Sequence, residues 1–303
     1  DGRVFPLSDS SKDVINCLRD VAKDSGVNVL TDSHVRQISK TNEGFKLVVK
    51  GNNCFHTKNI LICTGGHPSG RKLAQSLGHT IIQPVPSLFS LSSSDKSLES
   101  CSGISLNVQA KLTVNKKRYI ESGSLLITHK GFSGPVVLRL SAFSARNLHA
   151  NKYIGDLRIN WLCMSDNEVR SKIDLYKLEN GKKLVLNNKP FNQLPRKLWR
   201  ALLLCLNIDS QLKWCEISKS EKESLIKCLI MKSYSINSRG PFGEEFVTAG
   251  GVSLKEINFK TMESKICKGV FFAGEVLDID GVTGGFNFQH CWTSGWIAGK
   301  SVI

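Results

Sequence analysis

The feature that most constrains the fold is a glycine- and aspartate-rich stretch, residues 274–289, with the sequence GEVLDIDGVTGGFNFQ. The apolar run Gly269-Val270-Phe271-Phe272-Ala273 leads into this stretch, and an apolar helical pattern with Cys291, Trp292 and Trp296 follows it. Short, continuous apolar runs are typical of strands that are buried on both faces. A buried strand, a glycine loop and a helix in this order predict an α/β fold with a ligand site at the loop.

The residue types in this stretch indicate what it could bind. Glycines allow a ligand to approach the main chain, and the amides that open the helix near Gly285, Phe286 and Asn287 carry partial positive charge. The carboxylates of Asp278 and Asp280 would repel a bare phosphate but suit the hydroxyls of a sugar or ribitol. A plain turn between a strand and a helix is the simplest alternative. A calcium loop fits poorly, because the glutamate that closes such a loop is missing.

A second apolar run, Asn59-Ile60-Leu61-Ile62-Cys63, predicts another strand buried on both faces, and it ends in Thr64-Gly65-Gly66. Ligands of open α/β sheets bind beyond the carboxyl ends of the strands, so these glycines are a second candidate contact. A third glycine pair lies in Thr248-Ala249-Gly250-Gly251-Val252. Its spacing alone predicts no more than a hairpin and a loop.

The remaining patterns predict a discontinuous first domain, residues 1–83 and 244–303, interrupted by an insert, residues 84–243. In the first domain we expect a helix capped by Ser8 or Ser10 and closed by Gly26, a short buried strand over Val27–Leu30, and an antiparallel meander. The meander strands are expected at 34–38, 45–49 and 54–56. The insert is expected to be β-rich with a helical addition: strands within 104–128 and 157–162, and helices from Gly134-Pro135, near Pro195, and over 219–230.

The net charge of +15 raises the question of a nucleic-acid partner. The excess is +9 in residues 1–150 and +8 in residues 151–240, whereas residues 241–303 carry −2. It consists of single charges and short groups such as Lys116-Lys117-Arg118, without a long basic run. A solvated basic surface is the plain interpretation, and a face that binds anions or nucleic acid is the alternative.

Ten cysteines occur without a CxxC pair and without zinc-ligand spacing, so no metal site is expected. Most lie within apolar stretches, which predicts buried, reduced thiols and an intracellular, reducing compartment such as the cytoplasm, a plastid or a mitochondrion. No apolar run is long enough for a transmembrane helix. The start, Asp1-Gly2-Arg3, lacks signal-peptide features, which suggests a processed start or a piece of a longer chain.

Several segments together carry a family resemblance: GRVFPLSD (2–9), ICTGG (62–66), LGHTIIQPVPSL (77–88), LLITHKGFSGP (125–135), TAGGVSLKEIN (248–258) and TMESKICKGVFFAGEVLDIDGVTGGFNFQ (261–289). With them the chain resembles the BaiN-like, YhiN-type family of FAD- and NAD(P)-dependent oxidoreductases nearly end to end. The resemblance implies an α/β fold with a glutathione-reductase-type FAD-binding domain and an inserted β-barrel-like and helical module.

The resemblance also implies which residues contact FAD. The stretch from Gly274 to Asp280 would meet the ribitol and pyrophosphate, Gly284 to Gln289 would face the flavin ring, and the Val35 backbone would lie beside the adenine. The cofactor-binding residues implied are Val35, Thr64, Gly65, Gly66, Gly274, Glu275, Asp278, Asp280, Gly281, Gly284, Gly285, Phe286, Asn287, Phe288 and Gln289. The family opens with a strand–GxGxxG–helix that these residues lack. The chain is therefore expected to be amino-terminally truncated, with the first βαβ unit missing.

The activity expected from the resemblance is hydride transfer through FAD, from NAD(P)H to an unsaturated or carbonyl-type small molecule. His129 and His290 are candidate acids, although a structural or exposed histidine is the plain interpretation of each. One alternative is an RNA-modifying flavoprotein that uses the positive charge. Another is a non-catalytic remnant that no longer binds FAD. No membrane partner is expected, and the oligomeric state stays open.

Overall fold

The computed structural model describes residues 4–51, 53–240 and 247–302. The chain divides into two compact units. The first unit comprises Asp1–Gln83, Gly250–Ile279 and Gly284–Ile303, and the second comprises Pro84–Ala249 and Asp280–Thr283. The expected domain boundary between 243 and 244 lies outside the described residues, as do the first residues of the GRVFPLSD motif, so this boundary stays a prediction.

The first unit contains two sheets and three helices. Its strands are β1 (Val35–Thr41), β2 (Gly44–Val49), β3 (Cys54–Thr57), β4 (Ile60–Ile62), β13 (Ile257–Asn258), β14 (Glu263–Ser264) and β15 (Val270–Phe272), and its helices are α1 (Ser11–Asp24), α2 (Pro68–Ser76) and α7 (Phe286–Ser301). The first three strands form the predicted antiparallel meander. The second sheet has the order β13-β14-β15-β4, in which β15 pairs parallel with β4.

One apolar core joins the elements of the first unit. Phe45 of the meander, Ile62 of β4, Ala74 of α2, Phe272 of β15 and Ala298 of α7 all belong to it. Burial of these side chains supplies the main favourable term that holds the short strands together.

Two sequence predictions about the first unit are wrong. Residues 27–30 form no strand, and Val27, Val29 and Leu30 are more than half exposed. The strand β4 is not buried on both faces, because Leu61 is 37% exposed between the buried Ile60 and Ile62. An apolar run indicates low polarity but does not show whether a neighbouring element covers each face.

The helix α1 has the predicted cap, since the Ser10 side chain accepts a hydrogen bond from the Lys12 amide at 3.3 Å. None of its residues is buried. Its apolar stripe, which includes Ile15, Leu18 and Val21, is exposed to between 52% and 60%. The periodicity therefore predicted the helix correctly, while the described structure leaves its apolar face uncovered.

The second unit is built around a closed six-stranded barrel of order β10-β11-β6-β9-β8-β7. Its strands are β6 (Leu91–Ser93), β7 (Ser105–Val114), β8 (Lys117–Thr128), β9 (Gly131–Ser133), β10 (Gly155–Asn160) and β11 (Lys232–Arg239), and its helices are α3 (Pro135–Ala150), α4 (Asp166–Asn180), α5 (Arg196–Leu204) and α6 (Lys219–Met231). Two further strands, β5 (Ile81–Ser87) and β12 (Val247–Val252), form a two-stranded sheet. Closure removes the exposed strand edges that an open sheet would keep.

Buried and outward-facing side chains alternate along β7, and this alternation fills the interior of the barrel. Val108, Ala110 and Leu112 are fully buried inside it, whereas the residues between them face outward. Period-two alternation produces this division because successive side chains of a strand point to opposite faces. The predictions of strands in 104–128 and near 157–162, and of helices from Pro135 and over 219–230, are confirmed.

The cysteine prediction is only partly correct. None of the ten cysteines, all of which lie among the described residues, forms a disulfide, as expected. Only Cys101, Cys228 and Cys267 are buried, however, whereas five others are exposed: Cys17, Cys54, Cys63, Cys163 and Cys215. Apolar neighbours in sequence do not bury a cysteine when its own side chain points to the outer face of a helix or strand.

A histidine–carboxylate pair lies in the core of the first unit. The His79 side chain is fully buried, its Nδ1 lies 3.0 Å from Glu256 Oε2, and its ring meets the Phe272 ring edge-on at 4.7 Å. Its Nε2 has no hydrogen-bond partner among the described residues. Burial lowers the pKa of His79, and the bond to Glu256 offsets part of that shift.

This pair predicts a specific pH dependence of stability. Because the pKa of His79 is lower in the folded chain than the value of about 6.5 expected when unfolded, the unfolded chain takes up the proton first as the pH falls. The contribution of His79 is thus complete above about pH 6.5 and is lost below it. We expect His79→Asn to lower the unfolding free energy by about 1–3 kcal/mol at about pH 7.5 and to flatten its dependence down to about pH 5.5.

Urea unfolding at several pH values measures both effects. His56→Asn is the matched control, because His56 is exposed on β3. A pH slope of His79→Asn equal to that of the unaltered chain would contradict the assignment.

Candidate functional site

The parallel pairing of β4 and β15 brings the two predicted glycine loops together. Phe272 lies opposite Ile62, and the Ala273 amide donates to the Ile62 carbonyl at 3.2 Å. The chain after β4 continues into Thr64-Gly65-Gly66, and the chain after β15 continues into Gly274-Glu275. Both loops therefore leave the same edge of the sheet, where α/β proteins bind their ligands.

The loop after β4 is held by helix α2. The backbone of Gly70 comes so close to Thr64 that a Cβ atom on Gly70 would lie 1.7 Å from Thr64 Oγ1. Arg71 Nη1 donates to the Gly66 carbonyl at 2.7 Å, and His67 caps the helix by accepting from the Ser69 amide. Gly65 has a φ of +58°, and no atom lies within 4 Å of the position its Cβ would take. The loop is thus fixed on one side and open on the other.

The loop after β15 is tied to helix α7. The Gly274 amide donates to Ser294 Oγ at 2.9 Å, and Ser294 Oγ in turn donates to the His290 carbonyl at 2.7 Å. His290 Nε2 lies 3.3 Å from the Gly274 carbonyl. Gly274 has a φ of +72°, and its Cβ would lie 3.3 Å from Cys291 Sγ. A larger residue at 274 would disturb this junction.

The start of helix α7 presents its amides without a capping side chain. Gly285 precedes the helix with a φ of +91°, and its Cβ position has no atom within 4 Å. No acidic residue lies in the first turn. Such a start attracts negative charge, because the first amides of a helix lack partners within the helix and carry the positive end of its dipole. Phe286 and Phe288 beside it are 59% and 72% exposed.

The other predicted cofactor residues are divided between the units. Val35 begins β1 and packs against the core of the first unit. Glu275 and Asp278 are half-buried in the same unit, where the Asp278 amide donates to the Val252 carbonyl at 3.0 Å. Asp280 and Gly281 belong to the second unit, and Asp280 Oδ2 accepts a hydrogen bond from Ser87 Oγ at 2.8 Å.

The two candidate histidines differ in environment. His290 is partly buried and directed at the Gly274 backbone, so it supports the loop. His129 is exposed in the turn between β8 and β9 of the second unit. The glycine pair at 250–251 also has a structural explanation, since a Cβ on Gly251 would lie 2.4 Å from the Val276 carbonyl oxygen.

Sequence reasoning missed the residues that hold the loops. Arg71 and Ser294 bond to the loop backbone, yet neither belongs to a glycine motif. Arg71 lies in the first turn of α2, and Ser294 lies on the buried face of α7. Many residues of a protein occupy such positions, so no sequence signal distinguishes these two.

Metal-binding clusters and membrane-spanning helices are both absent from the described ranges. No group of three or more His, Cys, Asp or Glu side chains there could hold a metal ion. Nor does any helix of those ranges have the length and apolarity needed to cross a membrane.

The arrangement fits a nucleotide cofactor. The backbone is open at Gly65, in the loop after β4, and at Gly285, at the start of α7, so a ligand can approach the main chain closely. The helix start also offers the positive end of its dipole to a phosphate group. Carboxylates at Glu275 and Asp278 are acceptors for hydroxyl groups.

The packing of α2 against the first loop gives a prediction. Gly70→Ala places a methyl group on Thr64, so Thr64 or the helix must move, and we expect a loss of about 1–3 kcal/mol in unfolding free energy. Gly295→Ala is the control, because it lies within α7 with no atom within 4 Å of its Cβ, and it should stabilise the chain by about 0.5–1 kcal/mol. Urea unfolding of both variants measures this. Equal stability of the two would show that the contact between Gly70 and Thr64 is not tight.

Comparisons with known proteins identify the family of this chain and several relatives. The family profile described as "HI0933-like protein Rossmann domain" matches residues 1–301. A protein of Clostridium scindens named 3-dehydro-bile acid delta(4,6)-reductase is 26% identical over 99% of this chain and 75% of its own length. A protein of Haemophilus influenzae named ribosomal RNA dihydrouridine synthase is 29% identical over 99% of this chain and 75% of its own length. A protein of Escherichia coli with the same name is 27% identical over 100% of this chain and 74% of its own length.

Proposed function

The chain belongs to the HI0933-like Rossmann-domain family, and from this premise we propose that it is a flavin-dependent reductase of a carbon–carbon double bond conjugated with a carbonyl group. The family and the relative named as a reductase identify the chain as an enzyme of the oxidoreductase class. FAD as the cofactor, NAD(P)H as the donor and the nature of the acceptor belong to the proposal.

The names of the relatives describe related chemistry. One is a delta(4,6)-reductase, and the others form dihydrouridine, which has two more hydrogen atoms than uridine. The shared step for this chain would be addition of a hydride to one carbon of the double bond and of a proton to the other. NAD(P)H would supply the hydride, and a side chain or water would supply the proton.

The observation that carries the proposal is that two glycine loops leave one sheet edge and that helix α7 is hydrogen-bonded to the second of them. Thr64, Gly65 and Gly66 would hold the adenosine half of FAD, and the open backbone at Gly285 would face the ring. The chemistry that bound FAD would supply there is hydride transfer from a nicotinamide to the acceptor. The amides near Asn287 would stabilise negative charge in the reduced state.

The two candidate histidines each have a structural explanation. His290 already bonds to the Gly274 carbonyl, so it acts better as a support than as an acid. His129 is exposed and sits in a turn with tight backbone requirements, because a Cβ on Gly131 would lie 2.2 Å from the Leu91 carbonyl oxygen. Neither histidine is therefore assigned as the proton donor, and water would supply the proton.

Uridine in RNA is the acceptor that the charge distribution favours. Residues 84–240 contain 25 Lys and Arg but only 12 Asp and Glu, a net charge of +13. A phosphodiester substrate is attracted by such an excess, whereas a small monoanion such as a bile acid does not require it.

Gly285→Val tests the site. We expect the variant to lose bound flavin, because the branched side chain would fill the open space beside the loop backbone and restrict the left-handed conformation. The matched control is Gly26→Val, because Gly26 has a φ of +74° and equally open surroundings and belongs to neither loop. Flavin absorbance per chain after reconstitution with FAD is the measurement.

The outcome distinguishes the alternatives. His129→Ala should leave the flavin content unchanged, because His129 lies in the second unit, outside the cofactor loops. A Gly285→Val chain as yellow as Gly26→Val would contradict the site. Failure of the unaltered chain to take up FAD would favour either a non-catalytic remnant or a requirement for the strand–GxGxxG–helix that these residues lack.

A further inference from the structure

A rigid basic surface lies in the helical part of the second unit. Residues 181–200, here called the basic segment, contain six Lys and Arg and no Asp or Glu. These cations are Lys182, Lys183, Lys189, Arg196, Lys197 and Arg200. The run without acidic residues extends from residue 180 to residue 208. An acid-free interval of this length in a chain with 26 acidic residues concentrates positive potential locally.

The neighbouring helices α4 and α6 contain ion pairs, in contrast to the basic segment. On α4 and α6, Arg170 bonds to Asp166 and Glu223, and Lys222 lies 2.7 Å from Asp174. Over the described residues, no ion pair involves a cation of the basic segment. Arg200 instead donates to the neutral amide of Asn187, at 2.7 Å. Part of the charge of the helices is thus paired internally, whereas five of the six cations of the basic segment are exposed and Lys189 is half-buried.

Cations in the segment are close enough to affect one another. Burial lowers the pKa of Lys189, and the positive charge of Arg196 lowers it further. Lys189 Nζ donates to the Phe191 carbonyl at 3.0 Å rather than to a carboxylate. Like charges held together without a compensating acid reduce stability, so their arrangement is better explained by binding to an anion than by folding.

The core holds this surface in a fixed shape. The side chains of Val185, Phe191 and Leu194 are at most 1% exposed. Trp199 Nε1 donates to the Val185 carbonyl and Trp214 Nε1 to the Asn188 carbonyl, each at 2.9 Å, and the two indoles stack at 6.3 Å. A surface that is ordered before binding loses little entropy when a ligand docks.

We propose that the basic segment binds the phosphodiester backbone of an RNA substrate. The choice of RNA rests on the proposed reduction of uridine; the anion-binding character of the surface does not. Exposed Asn187, Asn192 and Gln193 lie among the cations and offer amide groups to ribose and base edges. A membrane surface fits less well, because the apolar residues of the segment point into the core instead of outward.

The test compares two triple variants of the whole chain that remove the same charge. K182Q/K183Q/R196Q alters the basic segment, and K172Q/K219Q/K227Q alters exposed lysines on α4 and α6. Fluorescence anisotropy with a labelled oligouridylate should show a loss of affinity of roughly 50-fold for the first variant at about 0.15 M salt. Its salt slope should fall by about 2, and the control should change severalfold at most.

A conservative variant, the flavin content and vesicle binding distinguish the possible reasons for a loss of RNA affinity. K182R/K183R should retain full affinity, which guards against loss of folding, and flavin content should be equal in all variants. Equal RNA affinity of the two triple variants, or binding to phosphatidylserine vesicles but not to oligouridylate, would overturn the inference. RNA binding that depends on the basic segment in a chain that reduces no uridine would refute the proposed function and leave the inference standing.

Discussion

The parallel pairing of β4 with β15 is the interaction on which the candidate site depends. The Ile60 amide donates to the Gly269 carbonyl at 2.9 Å, and the Ala273 amide donates to the Ile62 carbonyl at 3.2 Å. These bonds join two segments about two hundred residues apart in sequence, and the second unit lies almost entirely within the interval between them. Because both strands run in the same direction, both loops emerge at one edge.

Helix α7 turns this edge into a defined site. The buried Ser294 side chain links the Gly274 amide to the His290 carbonyl, which fixes the helix relative to the end of β15. With its axis held in this way, the helix places its uncapped first turn at a set distance from Gly274, about one and a half turns before His290. The glycines at 274 and 285 serve different needs: close contact with Cys291 at the first, and open backbone at the second.

Much of this architecture could be predicted from the sequence, because local patterns determine it. Period-two alternation identified the barrel strand β7, serine capping identified the start of α1, and the apolar run with its glycine loop identified the junction of β15 with α7. The wrong predictions concern exposure: that of Leu61, of residues 27–30 and of five thiols. They share a cause, because exposure depends on which element covers each face of a strand or helix. Likewise, the bonds of Arg71 and Ser294 to the loops depend on helix orientation, and Asp280 belongs to the second unit although Asp278 is only two residues away.

The most direct test of the account is amide hydrogen exchange of the whole chain with and without FAD. We expect FAD to slow exchange in peptides that cover residues 63–67 and 284–290, because both segments would then contact the bound group. The barrel strands β7 and β8 should exchange as before. Protection confined to the barrel, or none in either loop when FAD is bound, would contradict the claim that the paired ends of β4 and β15 form the cofactor site.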